Sequence, residues 1–194
     1  MIVKKSDLRL RPMDGDDLVQ VFDWRNSDRV RLNMFESEMI PWENHLKWFE
    51  SLKGNLHSKA LMFECRNEII GVVCAKVVDL AENQWIWGCY LGDKNIFPGA
   101  GTAMGILSLE YLFEVLCAKE VIGEMVSANQ VSDRFNARIG FKTVLQFTKT
   151  TSTGRNIPAS LLRQTRQDWI SNKDKIFEKY FSEYQRSSGT SNNT

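Results

Sequence analysis

Several classes of protein are excluded by what this sequence lacks. Its 194 residues carry a formal net charge of only +1, which gives no electrostatic basis for nucleic-acid binding. No stretch approaches the ~20 consecutive apolar residues of a membrane-spanning helix, and the first residues contain no signal-peptide core. We therefore expect a cytoplasmic protein without a nucleic-acid or membrane partner.

Cysteine is scarce, and its spacing excludes the common metal modules. The four cysteines form no Cys-x-x-Cys pair and match no zinc-binding pattern; they are Cys65, Cys74, Cys89 and Cys117. Each lies within an apolar strand or helix pattern, which favours buried, reduced thiols over disulfides. Reduced thiols indicate a reducing compartment, and no metal site is predicted.

The periodicity of the apolar residues predicts one α/β domain with a mixed sheet. Alternating apolar positions predict strands near residues 8–12, 60–65, 69–78, 84–91, 121–127, 141–148 and 157–162. Apolar positions at three- and four-residue steps predict helices near 18–26, 28–34, 42–52, 100–117, 129–139 and 169–180. We expect the domain to span 1–165, followed by a helical extension at 166–185 and a disordered tail at 186–194.

A glycine-rich turn at Phe97–Gly105 joins the fourth predicted strand to a helix. The first amides of a helix lack intrahelical partners and carry partial positive charge, and Gly99 and Gly101 leave the backbone open to an anion. The turn lacks the Gly-Lys-Ser/Thr triplet of a Walker loop and the full dinucleotide fingerprint. It predicts a pyrophosphate cradle, although the same residues also suit a flexible connection or a helix-packing contact.

Two segments in the correct order resemble those of the GCN5-related N-acetyltransferases (GNAT). The first is the glycine turn, in which Ile96 replaces the usual Gln or Arg; the second is the Asn-x-x-Ser-(seven residues)-Gly-Phe segment at Asn129–Phe141. The resemblance implies a GNAT fold, with a mixed, mostly antiparallel central sheet flanked by helices, and acetyl-CoA as co-substrate. It implies coenzyme contacts from Leu91, Ile96, Phe97, Gly99, Ala100, Gly101, Thr102, Ala103, Asn129, Ser132 and Asn136.

The amino-terminal third is similar to the nucleotide-sugar branch of this family. Asp23–Ser27, followed by Arg31 and Met34, and then His45–Phe49 are similar to segments of the PseH-like enzymes. Those enzymes acetylate the 4-amino group of UDP-4-amino-4,6-dideoxy-N-acetyl-altrosamine in pseudaminic acid synthesis. The resemblance therefore implies a nucleotide-linked aminodideoxysugar as the acceptor, with direct transfer and no acyl-enzyme.

Two alternatives stay open at this point. The ribosomal-protein acetyltransferases share the Arg-Asn and Trp-Phe features, so acetylation of a protein amino terminus is the first. The second is a binding module that retains the acetyl-CoA site without catalysis. This module is suggested by Ile96 and by Asn136, which stands where many relatives have Tyr.

Acetyl transfer to an amine requires a base, an oxyanion donor and an acid for the thiolate. Glu124 is the only carboxylate in the apolar strand 121–126, where desolvation would strengthen it as a base. Strand alternation could instead point it to solvent or to a salt bridge. Tyr90 lies where the family supplies a carbonyl-binding amide from a bulge, which Gly88 would ease. Tyr90 is also a candidate acid, because an amide at Asn136 cannot supply a proton usefully.

The expected acceptor site lies far upstream. Arg25 could meet a diphosphate with its guanidinium fork, or form an ordinary ion pair with a neighbouring Asp. The resemblance implies that His45 holds the sugar nucleotide, whereas the alternative is a surface or capping histidine. Trp48 and Lys76 complete the expected substrate-binding set. The terminal helix would either cap this site or contact a second copy in a homodimer.

Overall fold

The computed structural model describes residues 3–181, within which seven strands form one sheet in the order β1-β2-β3-β4-β5-β7-β6. The strands are β1 (Leu8–Pro12), β2 (Ser58–Cys65), β3 (Glu68–Asp79), β4 (Gln84–Leu91), β5 (Glu120–Val126), β6 (Lys142–Thr150) and β7 (Asn156–Thr165). The helices are α1 (Leu18–Asn26), α2 (Asp28–Arg31), α3 (Trp42–Glu50), α4 (Ala100–Glu110), α5 (Gln130–Arg138) and α6 (Arg166–Tyr180). Only β4 and β5 pair in parallel, so the predicted mixed, mostly antiparallel sheet is confirmed.

The sheet separates two apolar clusters of unequal size. The larger cluster contains Trp85 and Trp87 of β4, which pack on the α4 side of the sheet together with Phe113. Helix α4 buries nine of its eleven residues, as expected for a helix that is apolar on all sides. The smaller cluster lies on the other face, where Val21 of α1 packs near Tyr90. Strand alternation sends Tyr90 to the face opposite the two tryptophans.

Strands β4 and β5 are paired over only half their length. Their parallel pairing runs from Gln84 opposite Glu120 to Trp87 opposite Gly123 and then stops. Beyond that point β4 stays paired with β3, and β5 stays paired with β7. A cleft therefore opens between the carboxyl ends of two parallel strands, a position that commonly serves as a ligand site. The bulge expected near Tyr90, which Gly88 would ease, is wrong, because the register of β3 and β4 is regular from Trp85 to Leu91.

Most element boundaries lie within a few residues of those predicted. Strand β7 continues to Thr165, because its pairing with β5 extends that far. Helix α2 ends at Arg31, and α4 passes into a π turn at Tyr111–Val115, in which the Leu116 amide donates to the Tyr111 carbonyl at 3.0 Å. None of the helices within residues 3–181 is both long and apolar enough to cross a bilayer.

The prediction of free thiols is confirmed for the four cysteines, whereas the predicted burial is partial for three of them and wrong for Cys117. All four thiols are free, and burial raises the pKa of Cys74 to about 11 and of Cys89 to about 12. Cys65 is half-buried, and burial raises its pKa as well. Cys117 is exposed, because the helix ends before it and the residue adopts a positive φ of 55° in the following turn.

Helix α6 belongs to the main core of the chain. Trp169 stacks on Phe113 with ring centroids 5.9 Å apart, and Ile176 and Phe177 are buried beside it. The apolar face that was expected to cap the site or to contact a second copy is therefore covered within the chain itself. The rest of the predicted extension after Phe181, and the predicted disordered tail at 186–194, lie outside the described residues.

Candidate active site

The glycine turn presents open backbone at the start of α4. Gly99 is the N-cap residue and has φ +90°, a conformation that a side chain would strain. A Cβ added at Gly101 would contact only Leu91 Cδ1, at 3.6 Å. Within residues 3–181, the amides of Gly101 and Thr102 donate to no protein acceptor. These two amides are therefore available to an anion at the helix N-terminus.

Apolar packing holds this turn in place from both sides. Ile96 and Phe97 are half-buried against the main core, and Ala100, Thr102 and Ala103 are buried. Ile96 thus serves as an anchor for the turn, where the family usually has a polar Gln or Arg. The open amides lie on a rigid support, and this lowers the entropic cost of ordering the turn when an anion binds.

The three polar residues of the second family segment bond to one another. Asn129 caps α5, its Oδ1 accepting from the Ser132 amide at 3.0 Å. Asn136 is buried and donates through Nδ2 to the Ser132 carbonyl at 2.8 Å and to its hydroxyl at 3.1 Å. The helix packs on α4 at Gly105, where an added Cβ would lie 2.9 Å from Phe135. The segment therefore builds and positions the first turns of α5.

Arg25 carries a buried guanidinium nitrogen without a partner. Its Nη2 donates to the Glu36 carbonyl at 3.0 Å, whereas Nη1 is buried and has no hydrogen-bond acceptor. Burial lowers the pKa of this guanidinium, and Tyr90 and Cys74 lie close enough to affect its charge. No salt bridge to Arg25 is found within residues 3–181, and the neighbouring Asp28 pairs with Arg31 instead. Buried donors are normally satisfied, so this nitrogen indicates a place for a ligand acceptor.

Glu124 is not the isolated carboxylate that the sequence suggested. It forms an ion pair with Lys149 of β6, and their side chains are 24% and 36% exposed. The Lys149 ammonium also lies 4.7 Å from the centroid of the Phe35 ring. Because Gly123 pairs with Trp87, Glu124 points to the opposite face of the sheet, the one that carries Tyr90. Glu124 and Tyr90 therefore flank the same side of the β4–β5 cleft.

Residues 28–37, which we term the strap, cross this cleft from one wall to the other. Arg29 Nη2 donates to the Leu91 and Gly92 carbonyls at 2.8 and 2.6 Å, at the end of β4. Leu32 and Asn33 then line one side of a pocket of about 440 Å³, and the start of α5 lines the other side. At the far end, Glu36 accepts from the Ser152 amide at 2.9 Å and hydroxyl at 2.6 Å, in the turn between β6 and β7.

Sequence reasoning assigned no role to Glu36, Lys149 or Ser152. Each is a polar residue in a loop or an exposed strand, where no periodic pattern distinguishes it from ordinary surface. Their proximity depends on contacts between segments that lie more than 100 positions apart in the chain. Only the fold brings them to the cleft.

Of the remaining predicted acceptor residues, His45 and Trp48 contact each other, whereas Lys76 contacts neither of them among the described residues. His45 is buried, so the alternative of a surface histidine is wrong, and its Nε2 donates to the Leu18 carbonyl at 3.0 Å. Its ring centroid lies 5.5 Å from that of Phe22 and 5.3 Å from that of Trp48, and burial lowers its pKa. Lys76 is exposed on β3, on the same face as Cys74. Their predicted substrate roles stay predictions.

Comparison with solved structures shows the fold. A spermidine N-acetyltransferase from Vibrio cholerae, in complex with CoA and spermine, superposes with a TM-score of 0.77 at 13% identity, covering 85% of this chain and 99% of that one. The aminoglycoside acetyltransferase AAC(6')-Ib, in complex with coenzyme A, gives a TM-score of 0.71 at 19% identity, covering 86% and 99%. A search of curated proteins returns no significant sequence match.

A family model identifies the chain. The model described as acetyltransferase (GNAT) domain matches residues 7–142, which is well over half of the sequence. The chain therefore belongs to the GNAT acetyltransferases. It is an acetyl-CoA-dependent N-acetyltransferase, with acetyl-CoA as its co-substrate.

Proposed function

We propose that this GNAT acetyltransferase acetylates the amino group of an anionic, nucleotide-linked aminodideoxysugar, as the PseH-like enzymes of pseudaminic acid synthesis do. The observation that carries the proposal is the buried Arg25 Nη1, which has no acceptor among the residues that the structure describes. A phosphate oxygen of a nucleotide sugar would supply that acceptor through a charge-assisted hydrogen bond. The similarity of the amino-terminal third to PseH-like enzymes supports the same acceptor.

The charges around the strap favour an anionic acceptor over a cationic one. Glu124 is paired with Lys149, Asp28 with Arg31, and Glu36 accepts twice from Ser152. These carboxylates are engaged, whereas Arg25 has no acidic partner. Spermine and kanamycin, which are bound in two structurally similar acetyltransferases, are polycations. A site that binds a polycation needs free carboxylates. The described acceptor side offers the opposite charge.

The glycine turn fits the pyrophosphate of acetyl-CoA. Gly99 and Gly101 leave space where a Cβ would stand, and the Gly101 and Thr102 amides are free to donate. We propose that these amides hold the pyrophosphate, while Leu91 and Asn129 border the cleft at the ends of β4 and β5. Bound acetyl-CoA supplies a thioester whose carbonyl carbon is open to attack by an amine nitrogen.

Glu124 and Tyr90 carry the proposed proton transfers, and Arg25 binds the acceptor. Glu124 removes a proton from the acceptor ammonium, which frees the nitrogen lone pair, and Lys149 orients its carboxylate. Tyr90 keeps its proton at neutral pH because burial raises its pKa, so its hydroxyl can donate to the departing sulfur. Asn136 is occupied within α5 and takes no part in proton transfer. Arg25 binds the acceptor away from the reacting nitrogen.

The test is thiol release from acetyl-CoA with a panel of acceptors. The panel contains UDP-linked 4-amino-4,6-dideoxysugars, spermidine, kanamycin and a peptide with a free amino terminus. We expect turnover only with the UDP-linked amines. Turnover with spermidine or kanamycin alone would refute the anionic acceptor, and turnover with the peptide alone would favour the protein amino-terminal activity. Tight acetyl-CoA binding without turnover of any acceptor would indicate a binding module.

A further inference from the structure

We propose that Glu36 and Ser152 form a latch that closes the strap and positions Arg25 for the acceptor. The latch is the pair of hydrogen bonds from Ser152 to the Glu36 carboxylate. The positioning of an acceptor group rests on the proposed function, whereas the closure of the strap does not. Glu36 and Ser152 are positioning residues, because they act through Arg25.

Glu36 joins the β6–β7 turn to the guanidinium through two different groups. Its carboxylate accepts from the Ser152 amide at 2.9 Å and from the Ser152 hydroxyl at 2.6 Å. Its backbone carbonyl accepts from Arg25 Nη2 at 3.0 Å. This carbonyl is the one acceptor of Arg25 found within residues 3–181, so we expect movement of Glu36 away from the turn to release the guanidinium.

The residues on either side of Glu36 are tied to the same hairpin. Arg155 Nη2 donates to the Ser37 hydroxyl at 2.8 Å and contacts the Phe35 carbonyl at 3.4 Å. The Lys149 ammonium lies over the Phe35 ring at 4.7 Å from its centroid. The strap thus ends in a small network that joins it to Lys149 of β6 and to Ser152 and Arg155 of the turn between β6 and β7.

The hydrogen bonds of the latch are weak enough to break and form again. Glu36, Ser152 and Arg155 are exposed, so water competes for each of their hydrogen bonds. Val30 anchors the strap at its start, where it is buried, whereas Leu32, nearer to the latch, is 61% exposed. Because the strap crosses the cleft, an acceptor that is to reach Arg25 requires it to move. Weak polar contacts permit this movement, whereas a buried apolar contact would oppose it.

The first experiment tests closure without any acceptor. Backbone hydrogen exchange of residues 33–40 is measured in the wild type, Ser152→Ala and Glu36→Gln. We expect faster exchange in both variants, because fewer bonds hold the strap. Glu50→Gln is the matched control. It removes the carboxylate of Glu50, at the end of α3, from an exposed ion pair with Lys53, and residues 33–40 of this variant should exchange as in the wild type. Unchanged exchange in both latch variants would overturn the latch.

The second experiment tests the positioning of Arg25, with UDP as the probe. We expect Ser152→Ala to raise the Kd for UDP roughly threefold to tenfold and to leave the KM for acetyl-CoA unchanged. Ser152→Thr keeps the hydroxyl and should restore UDP affinity. Faster exchange with unaltered UDP affinity would refute the positioning role. Failure of the wild type to bind UDP would instead count against the proposed acceptor, and the exchange result would still decide whether the latch exists.

Discussion

The proposed coenzyme side and the proposed acceptor side of the cleft are built on different principles. The coenzyme side is one run of chain, Phe97–Ala103, that offers backbone amides on a support of buried apolar residues. The acceptor side is assembled from side chains as distant in sequence as Arg25 and Ser152. The comparison shows that a site made of backbone amides is encoded by one short segment of sequence. A site made of distant side chains forms only when the chain folds.

The two sides also differ in charge. No ion pair involves the glycine turn itself, whereas the acceptor side holds the Glu124–Lys149 pair and the unpaired Arg25, as far as the structure describes the chain. Substitutions on the coenzyme side should therefore affect acetyl-CoA, and those on the acceptor side should affect the amine.

Glu124→Gln should lower kcat by about 10²- to 10⁴-fold, the range of general base catalysis, because an amide cannot take the proton. The Kd for acetyl-CoA, measured by calorimetry, should not change. Glu120→Gln is the matched control, since Glu120 lies on the same strand and pairs with Arg163 at 3.3 Å, before the cleft opens. If Glu124→Gln keeps its kcat near neutral pH, Glu124 is not the base.

Arg25→Ala should raise the KM for the nucleotide sugar by about 10- to 100-fold, as expected for the loss of a hydrogen bond to a charged group. The KM for acetyl-CoA should stay near the wild-type value. Arg9→Ala, which removes an exposed guanidinium from an ion pair with Glu64 on β2, controls for the loss of charge. Equal increases in both KM values would contradict the assignment of Arg25 to the acceptor side.

Gly101→Ala should separate coenzyme binding from stability. The added methyl group meets only Leu91 Cδ1 at 3.6 Å, and alanine in a helix is roughly 0.5–1 kcal/mol more stable than glycine. The free energy of unfolding should therefore stay equal or rise, while the KM for acetyl-CoA rises roughly tenfold, because the methyl group blocks the approach of the pyrophosphate.

Gly99→Ala is the complementary variant, because Gly99 has φ +90° and nothing lies within 4 Å of an added Cβ. It should lower stability through backbone strain of about 1 kcal/mol. Thermal unfolding and coenzyme titration of both variants provide the measurements. A normal KM for acetyl-CoA in Gly101→Ala would show that the turn is a packing contact and holds no anion.

The coenzyme side could be predicted from the sequence because its signals are local. A strand, two glycines and an apolar helix occupy about twenty consecutive residues, and the tryptophans at 85 and 87 follow the alternation that buries them. The bulge that Gly88 would ease is wrong, because local signals do not show where the cleft opens. The cleft opens where β4 and β5 stop pairing, and the sequence of one strand does not encode that pairing.

The acceptor side could be predicted only in part. The sequence identifies Glu124 as the one carboxylate of an apolar strand and Arg25 as a guanidinium that could meet a diphosphate, but the Lys149 partner of Glu124 lies 25 positions away on another strand. Glu36 and Ser152 have no local pattern at all. His45 was assigned to the substrate through family resemblance, and its ring instead contacts the Leu18 carbonyl and three aromatic rings.

His45 therefore offers the smallest and most discriminating test of where the acceptor side ends. Burial holds its pKa below the usual 6.5 in the folded chain, so the unfolded chain takes up a proton first as the pH falls. Stability that is present above about pH 6.5 should then be lost as the pH falls toward the folded pKa.

The free energy of unfolding at pH 7.5 and 5.5 should show a smaller loss on acidification for His45→Gln than for the wild type. His57→Gln, which changes an exposed histidine, should behave as the wild type does. A role in packing predicts an unchanged KM for the nucleotide sugar in His45→Gln at pH 7.5. A raised KM with unaltered stability would instead return His45 to the acceptor site, because only a residue that touches the substrate would affect binding without affecting the fold.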